Sequence, residues 1–268
     1  MRLKMSKRTI ASLFSVVMMA TAIAPAKSQA LDQIKSSGEV AIGWAEWRPL
    51  EYRDTASGEL KGVLIAFAEE IAKKLNAKPK FIQDNWLTMT MGIESDKFQI
   101  ALMGISESRT RMVNFSTPLY YVPYGVVVKS DSGLKTFDEV NQSGNSIAVT
   151  TGSSTDELLT LLEKSGDLKA QIVRLKDVGG ALLSLTSGKS TAFATTLDAL
   201  AQIAEQQKSL IIAEGSFGAT DYAIAHPKGD EELTAALDKA VSDIIEEGTA
   251  AKLLETYAVL GSVVGAHE

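Results

Sequence analysis

Short apolar strands alternate with amphipathic helices along this chain, and the alternation occurs twice. The first set predicts strands over 40–43, 80–82 and 99–103 and helices over 63–75 and 88–95. In the longer helix Leu64, Phe67, Ala68, Ile71 and Leu75 fall at helical spacing before Asn76. The second set predicts strands over 146–150, 171–175, 192–194 and 210–213, separated by helices over 155–164, 179–187 and 197–207. Such alternation specifies an α/β protein with mostly parallel sheets. Between the sets, residues 120–131 are apolar and extended, with a Val-rich strand over 124–129. After the second set a strand over 222–225 leads into helices over 231–247 and 249–257, divided by Gly248. Two extended crossings between two α/β lobes make a hinge, with a ligand cleft between the lobes.

Arg2, Lys4, Lys7 and Arg8 precede an apolar run from Ile10 to Ala24, and Ser28-Gln29-Ala30 follows. This order reads as a secretory signal peptide cleaved near Ala30. The run, about 15 residues long, is shorter than the roughly 20 that a spanning helix needs. With no Cys in the chain, no lipid-modified cysteine follows the cleavage site, and the mature protein is expected to be soluble in the periplasm.

Removing residues 1–30 takes five of the 27 basic residues and no acid. That leaves 22 against 33 acidic ones, a net charge of −11 over 238 residues. An acidic surface disfavours nucleic acid and anionic membrane. The absence of Cys excludes a disulfide framework and thiolate metal ligation. The two histidines, His226 and His267, are far apart in sequence, which argues against a His-based metal site or a Ser-His-Asp site. No cofactor, metal or catalytic residue is expected.

An ordered series of motifs spans nearly the whole mature chain. It runs Arg48-Pro49-Leu50-Glu51-Tyr52, Gly58-Glu59-Leu60-Lys61-Gly62 and Asp84-Asn85-Trp86, then residues 109–121 from Arg109 through Asn114-Phe115-Ser116 to Tyr121. Thr151-Gly152-Ser153-Ser154, Ser187-Gly188-Lys189 and Glu247-Gly248-Thr249 complete it. In this order the chain resembles the solute-binding proteins of polar amino acid ABC transporters, the bacterial extracellular solute-binding proteins of family 3. The resemblance implies the two-lobed periplasmic-binding-protein fold (type II), with the cleft between lobes joined by two hinge strands. It assigns residues 31–121 and 222–268 to lobe 1 and residues 122–221 to lobe 2. It also implies a monomer that delivers a small polar ligand to a permease in the inner membrane.

Residue by residue, the resemblance makes Arg109 the clamp for a ligand carboxylate. A guanidinium forks onto a carboxylate through two parallel hydrogen bonds. Ser106 stands at a helix start where relatives have Thr. Ser153, Ser154 and Thr155 open a helix whose N–H groups and hydroxyls suit an anion, although N-capping alone also accounts for them. Trp47 and Trp86 match positions where an aromatic packs on the ligand, and Trp44 and Glu46 lie close by in sequence.

Three departures bear on the ligand. The Asp that holds an α-ammonium in relatives is replaced by Thr196, beside Thr195 and two residues before Asp198. Gly104 replaces a hydroxyl residue that shares the task, and Leu64 and Ala66 replace an acidic pair. A buried ammonium without an anion is costly. Either Glu46 or Asp198 supplies the charge from a new place, or the ligand lacks a free α-ammonium, as in a cyclic or N-substituted amino-acid derivative. Two other readings stay open. One is a cyclohexadienyl dehydratase-like enzyme on the same fold, with Glu46 as its acid or base. The other is a stand-alone ligand sensor; sensory modules of this kind usually continue into a membrane span, and none is expected before Glu268.

Overall fold

A computed structural model describes residues 30–259 and 263–264. The expected signal peptide, apart from Ala30, lies outside the described residues. The chain begins with α1 (Ala30–Ser37), β1 (Glu39–Ala45), the small hairpin β2 (Tyr52–Arg53) and β3 (Leu60–Lys61), and α2 (Val63–Lys74). It continues through β4 (Lys78–Asp84), α3 (Met89–Glu94), β5 (Ile100–Gly104), α4 (Glu107–Thr110) and β6 (Asn114–Phe115) to β7 (Tyr120–Lys129). Then come α5 (Phe137–Val140), β8 (Ser146–Thr150), α6 (Ser154–Ser165), β9 (Gln171–Leu175), α7 (Val178–Thr186), β10 (Ala192–Thr196), α8 (Leu197–Gln206) and β11 (Leu210–Ile212). The chain returns through β12 (Ala219–His226) to α9 (Glu231–Glu246), α10 (Thr249–Thr256) and β13 (Val263–Val264).

The main path of the sheet runs β4-β1-β5-β12-β7-β10-β8-β9. Within each half the strands joined by helices are parallel: β1 with β4 and β5, and β8 with β9 and β10. The two central strands run against them. The start of β7 pairs with β12, Tyr120 opposite Tyr222 and Pro123 opposite Ala219. Its remainder pairs with β10, Tyr124 opposite Thr196 and Val128 opposite Ala192. β7 and β12 are the extended crossings expected from the pattern, and the fold is the two-lobed α/β architecture that the sequence implies.

One apolar cluster runs through both lobes, from Ile42 and Phe67 to Val127, Phe193 and Leu200. Val126, Val128, Ile147, Val149, Leu159 and Ala194 form a separate cluster in the second lobe. Ile42, Phe67, Ile71, Ile100, Leu102, Ile224, Leu237 and Val241 lie in the core of the first. Strands covered on both faces by helices read as continuous apolar runs rather than alternating ones.

Two helices escape the sequence pattern. α1 begins at Ala30, the last residue before the expected cleavage; it buries Leu31 and Ile34, and its Leu31 N–H donates to Asp230 at 3.2 Å. α5 is one turn long, too short for a periodic signal, and is fixed by a capping box between Thr136 and Glu139. No helix among the described residues is long and apolar enough to cross a membrane.

Candidate ligand-binding site

β5 ends at Gly104, and Ser106 caps the short α4 by accepting a bond from the Arg109 N–H. This turn sends the Arg109 side chain back under the strand end, where the residue is 4% exposed. Nη1 donates to the Gly104 carbonyl at 2.7 Å and Nη2 to the Gly152 carbonyl at 2.9 Å. Nε stands 3.5 Å from Glu157 Oε1. Gly104 belongs to the first lobe, Gly152 and Glu157 to the second, so one guanidinium ties both. Burial pulls its pKa down from the ordinary value, and the Glu157 charge opposes that; a guanidinium stays charged through shifts of this sign.

An aromatic column leads to the same point. Phe67 stacks on Tyr120 (5.8 Å between centroids), Tyr120 on Tyr222 (5.0 Å) and Tyr222 on Trp47 (6.2 Å). Trp47 then meets Trp86 edge-on at 5.4 Å and 82°. The Arg109 guanidinium carbon lies 5.8 Å from the Trp86 ring, within cation–π range. Burial in the column pushes the Tyr120 and Tyr222 phenols well above their ordinary range, so both keep their protons.

The second lobe supplies the opposite wall from the N-terminus of α6. Ser153 caps that helix, accepting from the Asp156 N–H at 3.2 Å. The Asp156 carboxylate is spent on structure, taking the Gly152 N–H and the Arg174 guanidinium. Ser154 is buried and the Thr155 hydroxyl has no hydrogen-bond partner. Gly152 has a left-handed backbone (φ +74°), and a Cβ there would stand 3.0 Å from the Leu87 backbone of the first lobe. Both the turn and the close approach favour glycine. A Cβ on Gly104 would meet Ser154 Oγ at 2.7 Å.

Between the walls Trp47, Trp86, Gly104, Arg109, Ser153, Ser154 and Tyr222 line a narrow void, too small here to hold a water molecule. Six of these seven are sequence-predicted. The other predicted residues stand around it. Trp44 is 1% exposed, pairs with Gln83 in the sheet and lies 5.6 Å under the Arg53 guanidinium, away from the void. Glu46 is exposed at the rim, 3.5 Å from Arg48 and accepting from the Arg53 N–H. Ser106 acts as the α4 cap and lines a groove on the flank. Thr195 and Thr196 end β10 and are buried, and Asp198 lies fully buried in the first turn of α8. Burial pushes the Asp198 carboxyl up to about 6, despite its bond from the Ala199 N–H and the nearby Thr196 hydroxyl.

Sequence reasoning did not single out Tyr222, Tyr120, Glu157 or the Gly152 carbonyl. Tyr222 sits in β12 next to the apolar run Ala223-Ile224-Ala225, and nothing in the pattern tells which face looks into the cleft. Glu51 stood in a quoted motif without a role. It is 3% exposed and accepts the Ala45 N–H at 2.9 Å, and burial pushes its carboxyl well above the ordinary range.

The profile of the bacterial extracellular solute-binding proteins, family 3, matches residues 40–259. The chain belongs to this family. Among relatives of this solute-binding protein is the glutamine-binding protein of a Bacillus subtilis ABC transporter, 25% identical over 260 residues, covering 90% of this chain and 93% of the relative. A cyclohexadienyl dehydratase from Pseudomonas aeruginosa is 26% identical over 161 residues, 58% of this chain and 59% of its own. A mutant of ArgBP from T. maritima superposes with a TM-score of 0.75 at 26% identity, covering 85% of this chain and 99% of that structure. Family members are solute-binding proteins of the periplasm or cell exterior, and most of the similar proteins are binding proteins rather than enzymes.

Proposed function

We propose that this protein is the extracytoplasmic solute-binding component of an ABC importer and captures a small carboxylate, an amino acid or a derivative of one, by closing its lobes. The observation that carries the reading is the guanidinium of Arg109, buried between the lobes beside Trp86 and the α6 N-terminus. A ligand carboxylate entering there exchanges two neutral carbonyl contacts for a charge-assisted fork. The α6 N–H groups and hydroxyls add a second grip on the anion. Trp47, Trp86 and Tyr222 offer apolar faces to the ligand body. Lobe 1 (31–121 and 222–268) supplies the guanidinium and the indoles, and lobe 2 (122–221) supplies the helix N-terminus. β7 and β12 bend as the hinge, and the closed monomer presents both lobes to a permease.

A thermal-shift screen of residues 31–268, unfolded and refolded to strip bound solute, tests this. The panel holds the common L-amino acids, betaines, cyclic amino acids, opines and cyclohexadienyl acids, together with carboxylate-free counterparts such as amino-acid amides and choline. A true ligand at a hundredfold excess over Kd stabilises by about 2.7 kcal/mol. A shift confined to compounds without a carboxylate would overturn the reading.

A dehydratase reading would turn from the exposed Glu46 to Glu51, one of two buried carboxyls, with Asp198, that burial holds above the ordinary range. Turnover of prephenate or arogenate that disappears in Glu51→Gln would replace binding by catalysis.

A further inference from the structure

We propose that Glu157 sets the charge class of the ligand: its carboxylate, held beside the Arg109 clamp, admits a ligand with one carboxylate and turns away a ligand with two. This rests on the carboxylate-binding reading above and narrows the ligand of that same site.

Glu157 stands in the first turn of α6, on the second lobe, yet both of its carboxylate oxygens reach the first. Oε1 lies 3.5 Å from Arg109 Nε, and Oε2 accepts from the Ser108 hydroxyl at 2.6 Å. Two anchors from α4 therefore hold a long side chain in one place. The plain alternative is a first-turn acid that complements the helix dipole. Asp156 already serves the helix start locally, taking the Gly152 N–H and Arg174. A dipole acid also needs no partner 49 residues away in the other lobe. The Glu157 side chain is 26% exposed, so solvent and salt screen its charge only in part.

The charges around the clamp decide what enters. Arg109 is the one cation among the side chains that line the void, and Glu157 is its one ion-pair partner among the described residues. The pair is neutral. A ligand carboxylate on the Nη edge places a second anion on the guanidinium, offset by the fork and the α6 N–H groups. A second ligand carboxylate would be a third anion, with no cation left for it at the clamp. The cavity beyond Trp86 gives no relief, because Glu46, Asp84 and Asp177 line it against Lys176 alone. Glu46 and Asp84 have cations of their own in Arg48 and Lys97, so Glu157 is the acid whose charge falls on the clamp itself. That charge acts on the Arg109 guanidinium and on the Tyr124 phenol. Like charges about 6–8 Å apart, at an effective dielectric of about 20, repel enough to cost about tenfold or more in affinity.

Calorimetry on the refolded chain, residues 31–268, tests this with the common L-amino acids, above all the pairs L-glutamine with L-glutamate and L-asparagine with L-aspartate. The dicarboxylate of each pair is expected to bind at least about tenfold more weakly than its amide. Glu157→Gln keeps the side-chain length and an acceptor for Ser108. It should raise the affinity for L-glutamate or L-aspartate by about tenfold and move that for the amide by less than about threefold. A wild-type protein that binds either dicarboxylate as tightly as its amide overturns the proposal. So does a Glu157→Gln protein that gains no dicarboxylate affinity or shifts both members of a pair alike. These outcomes leave the carboxylate clamp standing. If circular dichroism shows Glu157→Gln unfolded, the wild-type pairs decide, and no measurable difference within either pair counts against the proposal. A wild-type protein that binds no amino acid of the panel overturns the carboxylate reading, and this proposal with it.

Discussion

Arg109 and Gly152 join the lobes: a guanidinium from the turn after β5 reaches 2.9 Å to a carbonyl at the start of α6. Because the same side chain holds the Gly104 carbonyl, its loss leaves two buried acceptors unpaired. Arg109→Lys keeps the charge and loses the fork. Binding of a carboxylate ligand should weaken by about 100-fold, and the ligand-free protein should lose about 1–3 kcal/mol. Calorimetry and urea unfolding measure the two effects separately.

Gly104 lies where the walls meet most closely. A Cβ there would stand 2.7 Å from Ser154 Oγ and 3.0 Å from Thr220 Oγ1. Gly104→Val should therefore oppose closure more than folding. Affinity is expected to fall by about tenfold or more, with the ligand-free melting temperature shifted by only about a few degrees. Small-angle X-ray scattering at saturating ligand should show a larger radius of gyration than the wild type.

The three tryptophans should separate by fluorescence. Trp47 and Trp86 line the void while Trp44 is packed away from it. The emission change on ligand binding should persist in Trp44→Phe and drop by about half or more in Trp86→Phe, the indole beside Arg109. An unchanged signal in Trp86→Phe and Trp47→Phe together would place the ligand elsewhere.

Asp198 gives a pH dependence of defined sign. Its carboxyl is raised from 3.8 to about 6 chiefly by burial, so ionising it costs the folded state more than the unfolded one. Stability is favoured below about pH 4 and declines as pH rises to about 6. Buried Glu51 adds a slope of the same sign. Asp198→Asn removes the Asp198 part, and should gain about 1–3 kcal/mol at pH 7.5 and little at pH 4. Urea titrations of ligand-free protein at both pH values check this; an equal change at both would contradict the burial account.

Much of the architecture was legible because periodicity is a local property. The strand over 146–150 and the helix over 63–75 are bounded by their own turn and cap residues, and they form within a residue of the expected limits. The strand over 80–82 proved longer, since parallel pairing with all seven residues of β1 extends β4 to Lys78–Asp84. The site was legible only where a motif carried it. Arg109, Trp47 and Trp86 meet as their motifs imply, although they come from three separate segments. Tyr222, Tyr120 and Glu157 were not legible, because their part depends on which strand faces and helix turns meet across the hinge. Trp44 shows the converse: its nearness to Trp47 in sequence does not bring it to the void, because it faces the covering Arg53 instead.

The most direct measurement is a crystal structure of the refolded protein with the best ligand from the screen. The account predicts a carboxylate within about 3 Å of the Arg109 guanidinium, against Trp86 and the N-terminus of α6, with the ligand body on Trp47 and Tyr222. A ligand seated in a flanking groove, with Arg109 still bound to the Gly104 and Gly152 carbonyls, would contradict it.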